Sequence, residues 1–165
     1  LPSGKLKAYP DERWNSWRNA KASEMPVGEY FVCVQSIVAD GRGALWVLDP
    51  AAPGNEKILP GGPKLVRVDL ATDQVTKTIL FDETVALQGT YLNDIRFSAD
   101  GKTAAVATAD NIIRLVNLAD GKVIRELKGH TAAVSGLAFF PHPSETSRLA
   151  AATAAADPAD DPPGV

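Results

Sequence analysis

Sulfur and imidazole are scarce in this chain: one Cys, one Met and two His stand among 165 residues. The single Cys33 excludes an intramolecular disulfide and a zinc site built from thiolates. Within the apolar run Phe31-Val32-Cys33-Val34 it reads as a small buried hydrophobe. A nucleophilic thiol would want a nearby base, and His130 and His142 are distant in sequence and fall in turn-like stretches. An excess of charge of one sign is also missing. Seventeen Lys and Arg face 20 Asp and Glu, a net charge of −3 spread along the chain, so neither a nucleic-acid partner nor a membrane surface is expected. No apolar run approaches the roughly 20 residues of a membrane helix. The first residues show no signal-peptide pattern, which leaves the compartment open. No phosphate-binding loop lies between a strand and a helix. The Asp-Gly pairs at Asp40, Asp100 and Asp120 lack the spaced acids of a calcium loop and read as turns. Helical periodicity of useful length is absent too.

What remains is a pattern of short strands. In Tyr91 to His130, YLNDIRFSADGKTAAVATADNIIRLVNLADGKVIRELKGH, four apolar and β-branched segments carry Ile95, Phe97, Val106, Ile113, Leu115, Val123, Ile124 and Leu127. Ala99-Asp100-Gly101, Ala109-Asp110-Asn111 and Ala119-Asp120-Gly121 separate them with residues that tolerate positive φ or bond their own backbone. Parts of this unit repeat. Val68-Asp69-Leu70-Ala71 through Val75 matches Val116-Asn117-Leu118-Ala119 through Val123 at a shift of 48 residues, and Ala39-Asp40-Gly41 returns as Ala99-Asp100-Gly101. Shifts of roughly 40 to 60 residues suit the four-stranded blades of a propeller.

The expected fold is therefore all-β, with antiparallel four-stranded blades, about two and a half in the chain. Leu6 to Tyr9 reads as a lone strand, followed by an aromatic connection holding Trp14 and Trp17. Tyr30 to Ala39 and Ala44 to Leu48 form a first hairpin, both strands apolar throughout as if covered on two faces. Beyond the Pro- and Gly-rich loop Asp49 to Pro63, Leu65 to Leu70 and Val75 to Phe81 complete that blade. Val134 to Phe140 and Arg148 to Thr153 begin a third, and residues 154–165, small, acidic and Pro-rich, are expected to be disordered.

At YFVCVQSIVADGRGALWVLDP, with LPSGKLKAYPDERWNSW before it and YLNDIRFSADGKTA after, the chain resembles the Yellow/major royal jelly protein family, bacterial type, over residues 1–104. That resemblance implies six-bladed propellers, usually exported, mostly without an established activity; it makes a secreted or periplasmic location the expectation. From 104 to 149, NIIRLVNLADGKVIRELKGHTAAVSGLAFFP is similar to a WD-repeat protein. Gly129-His130 matches its Gly-His pair, Asp110 its turn aspartate and Thr108 its inner-strand hydroxyl, while Val116-Asn117 stands where Trp-Asp is expected. The WD-type network of Thr108, Asp110 and His130 is thus incomplete, and His130 should serve the following blade, near Ala155 or Asp157. The division this implies is 1–101, royal-jelly-like, 102–153, WD-like, and 154–165, tail. A chimera, a truncated fusion and a divergent royal-jelly-like chain all fit it.

Asn93-Asp94 is the leading candidate site, at the start of an inner strand near the central channel. It looks like the Asn-Asp-Ile segment with which paraoxonases and gluconolactonases hold a catalytic metal, and its oxygens suit calcium. Strand-entry hydrogen bonding and small-ligand binding are the other readings. Gln35, Tyr91, Trp14 and Trp17 are candidate channel-mouth residues, the tryptophans alternatively covering apolar surface. Three functions stay open: a non-catalytic scaffold binding a ligand or assembling with itself, a calcium-dependent lactonase or esterase, and a WD-type module with a protein partner.

Overall fold

The computed structural model describes residues 4–140 and the strand 148–153. His142, Ala155, Asp157 and the tail 154–165 lie outside the described residues. Three antiparallel sheets follow one another along the chain. The first holds β1 (Ser36–Ala39), β2 (Ala44–Asp49), β3 (Lys64–Asp69) and β4 (Gln74–Leu80) in sequence order. The second holds β5 (Leu92–Phe97), β6 (Thr103–Thr108), β7 (Ile113–Asn117) and β8 (Val123–Leu127), and the third pairs β9 (Val134–Phe140) with β10 (Arg148–Thr153). The first strands β1, β5 and β9 lie side by side, which is the stacking of blades in a partial propeller.

The repeats seen in sequence are repeats of geometry. Register slips between Arg67 and Val68 in the first blade and between Leu115 and Val116 in the second, so that Val68 faces Val75 and Val116 faces Val123. Both bulges precede a turn closed by a side-chain acceptor, Asp69 for the Ala71 amide and Asn117 for the Ala119 amide. Asp40 and Asp100 likewise take the amides of Arg42 and Lys102, while Gly41 and Gly101 supply φ of 70° and 67°.

Packing explains why β6 is apolar on both faces. Ala104 and Val106 point towards the first blade, into a core with Trp46, Leu48, Leu65, Ile95 and Val116. Ala105 and Ala107 point the other way, onto Ile113, Val134 and Leu137. The boundary between 101 and 102 falls in the β5–β6 turn, inside one hydrogen-bonded sheet.

Three local expectations are corrected. Leu6 to Tyr9 forms no strand: among the described residues no ladder includes it, its Tyr9 carbonyl accepts instead from the Asn15 side chain at 2.9 Å, and Leu6 is fully exposed. The first strand begins at Ser36 rather than Tyr30, because the amides of Val32 and Cys33 go to the Asp49 carboxylate at 2.7 and 3.0 Å. Nor is β1 covered on both faces; it alternates, with Ile37 57% exposed.

The segment before β1 covers the face of the first sheet that points away from the second blade. Trp14 packs there against Val47, Val66 and Val68, with Tyr9 and Phe31 at the margin. Asp11 holds the turn by accepting the Trp14 amide at 2.9 Å, and the Phe31 amide returns to the Trp14 carbonyl at 2.8 Å. A buried ion pair fastens this segment down. Lys64 Nζ lies 2.9 Å from Asp49 and donates to the carbonyls of Val27 and Gly62, both at 2.9 Å.

Candidate functional site

Asn93 and Asp94 open β5, where it meets β1 on one side and β9 on the other. Asp94 is buried, and its carboxylate is occupied from four directions. Oδ1 accepts from the Ile95 amide at 2.9 Å, from Arg96 Nη1 at 2.5 Å and from Ser36 Oγ at 3.4 Å, while Oδ2 accepts from the Leu137 amide at 3.2 Å. One side chain thus ties the first strands of three blades together. Asn93 does the same in parallel: Gln35 Nε2 donates to its Oδ1 at 3.3 Å, and its own Nδ2 donates to the Val134 carbonyl at 3.2 Å.

The chain of polar groups continues outward. Tyr91 donates its phenolic proton to Gln35 Oε1 at 2.9 Å, and the Cys33 sulfur lies 3.6 Å from the same phenol oxygen. Burial first, then the Cys33 contact and the Asp49 charge, push the Tyr91 phenol up, so it stays neutral and remains a donor. Cys33 is only half-buried, which corrects its reading as an enclosed hydrophobe: it sits at the end of this polar row. Gln35, Tyr91, Asn93 and Asp94 are therefore brought together.

Trp14 and Trp17 are not part of that group. Each is 8% exposed, so neither presents its ring at a channel mouth. Trp14 lies under the first sheet beside Phe31, with ring centroids 4.9 Å apart. Trp17 is enclosed with its indole N–H unpaired among the described residues.

The WD-type positions divide as well. Thr108 donates to Asp110 and to the Ile112 carbonyl, and Asp110 accepts from Arg114 Nη2 at 2.8 Å. His130 makes no hydrogen bond with either among the described residues. Their partner is Arg114, which is buried and reaches Thr108 at 2.7 Å and the Thr84 carbonyl at 3.0 Å. Burial pushes the Asp110 carboxyl up, but the bonds from Arg114 and Thr108 and the Arg114 charge outweigh it and hold the group below the usual carboxylate range. Arg114 was legible as one cation inside the apolar run IIRLV, four residues after Asp110. A buried guanidinium requires such a partner.

For metal chemistry the geometry offers little. Among the described residues no three His, Cys, Asp or Glu side chains gather at one point. At Asn93-Asp94 one carboxylate stands alone, already neutralised by Arg96.

Comparison with known proteins gives two matches along the chain. The family profile described as major royal jelly protein matches residues 32–131, which takes in both complete blades. The profile described as WD domain, G-beta repeat, matches residues 121–157. An uncharacterized WD repeat-containing protein of Synechocystis sp. (strain ATCC 27184 / PCC 6803 / Kazusa) is 40% identical over 88 residues, 51% of this chain and 25% of that protein. The chain thus spans about a quarter of the relative's length. Among solved structures, the WD40 repeats of RRP9 align with a TM-score of 0.48 at 16% identity, covering 66% of this chain and 29% of that one. A chain of the mitotic checkpoint complex aligns with a TM-score of 0.48 at 15% identity, covering 73% and 31%. With its family match covering 32–131 of 165 residues, the chain belongs to the major royal jelly protein family, and the WD-type match begins at residue 121, taking in the last strand of the second blade.

Proposed function

We propose that this chain works as a non-catalytic propeller scaffold that binds protein, a second copy of itself foremost. The observation that carries this reading is the polar seam at Asn93 and Asp94. Groups that would have to hold calcium or polarise an ester carbonyl are committed instead to joining β1, β5 and β9. The Asp94 carboxylate is drawn into that seam, Oδ1 by three protein donors and Oδ2 by the Leu137 amide. The WD-type repeat at 121–157 supports a role in protein contact. The N-terminal segment covers the outward face of the first blade, so a second copy would not stack on that face.

Light scattering on the chain as it elutes from a sizing column tests this directly. A discrete dimer is the expected result; a monodisperse monomer across the concentration range overturns self-assembly. Calcium-dependent hydrolysis of aryl esters or lactones, lost in Asn93→Ala, overturns the non-catalytic half.

A further inference from the structure

Two cations face each other across the first blade with no carboxylate between them. Register places Trp46 opposite Arg67 and Arg67 opposite Lys77, a row running across β2, β3 and β4. Like charges directly opposite on antiparallel strands repel and weaken the pairing. Yet neither side chain forms an ion pair among the described residues. Arg67 donates to the Thr76 hydroxyl at 2.7 Å, and Lys77 donates to the carbonyls of Leu118 and Ala119 at 2.6 and 3.3 Å. All three acceptors are neutral, and two of the three Lys77 protons are used.

The row forms one wall of a groove between the two complete blades, with a volume of about 490 Å³. Lys102, from the β5–β6 turn, adds a third cation. Ile124 supplies apolar surface and is exposed although it is a large aliphatic side chain, whereas Leu118 is 5% exposed and belongs to the core. The Asp69 and Asp100 carboxylates feel Arg67 and Lys102, and each is taken up by its own turn. The volume falls in the range of small-ligand sites, and the lining joins several cations to an apolar wall.

We propose that this inter-blade groove binds a small organic anion, a carboxylate or sulfonate borne on a flat apolar body. Arg67, Lys77 and Lys102 take the anion; Ile124 takes the body. Binding would relieve the repulsion built into the Arg67–Lys77 pair. This site is separate from the β1–β5–β9 seam and does not depend on the scaffold reading.

The test is a titration of the 165-residue chain with 2-naphthoate, followed by backbone amide shifts, with the neutral 2-naphthalenemethanol as control. Saturable shifts at Lys102, Leu118 and Ile124 are expected, weakening with added salt and weaker by about tenfold for the alcohol. Arg67→Gln should raise Kd by about tenfold while its thermal midpoint stays level or rises, since one member of a repelling pair is gone. Ile124→Ser, at an exposed position, should weaken binding without unfolding the chain. Equal affinity for the alcohol, shifts confined to other surfaces, or an Arg67→Gln variant that loses stability but not affinity would overturn the proposal.

Discussion

Asp94→Ala separates a structural seam from a ligand site, because the two assign opposite signs to the same measurement. If Asp94 exists to bind these blades, removing it strips the acceptor from the Leu137 and Ile95 amides, both in buried hydrogen bonds. A buried amide left unpaired costs about 1–3 kcal/mol. The Arg96 pair adds little: that side chain is 38% exposed, and solvent-screened pairs are worth about 1 kcal/mol at most. The total is about 3 kcal/mol, roughly a hundredfold in the folded-to-unfolded ratio and about 6–12 °C in midpoint. Asp94→Asn keeps one acceptor oxygen and should fall between. Urea unfolding of the three proteins, each with calcium and with chelator, reads these differences. An Asp94→Ala midpoint within about 0.5 kcal/mol of the parent would refute the seam. So would an Asp94→Asn variant more stable than the parent, since a carboxylate held for a ligand at the expense of stability gains when neutralised.

Three further outcomes are expected. Arg114→Met should cost about 3 kcal/mol by leaving Asp110 and the Thr84 carbonyl without their buried donor, whereas His130→Ala should stay within about 0.5 kcal/mol; parallel thermal melts would show it. Lys64→Met should cost about 3–5 kcal/mol and speed exchange at the Val32 and Cys33 amides, because the stranded Asp49 charge destabilises the segment it anchors. Stability should fall at both ends of the pH scale. The Asp40, Asp82, Asp100 and Asp110 carboxyls sit below their ordinary 3.8 in the folded state, so their contribution is present above that value and is lost as pH drops through the folded values. The Tyr91 phenol sits above its ordinary 10.0, so its contribution is whole below pH 10 and is lost above it, and Tyr91→Phe should remove that alkaline loss.

The blades were legible because strand and turn signals are local. Alternating β-branched residues and Asp-Gly reversals specify a hairpin within a few residues, and the 48-residue repeat carried even the register bulges. The candidate site was legible only in part. Asn93 and Asp94 could be located at a strand entry from the sequence, but their partners Ser36, Val134 and Leu137 lie about 40 to 60 positions away and contribute largely through backbone atoms, which no residue type announces. The Arg67–Lys77 row was hidden for a related reason: cross-strand neighbours depend on register, and a shift of one residue would have sent the side chains to opposite faces.

Sequence alone therefore determined the all-β class, the blade period and the turn chemistry, since each is written in contiguous residues. Tertiary structure decided what the polar residues are for. Hydrogen-bond partners and screening depend on which blade faces which, so only the folded array made Asp94 a seam, put Arg114 beside Thr108 and Asp110, and set Trp14 under a sheet rather than at a channel.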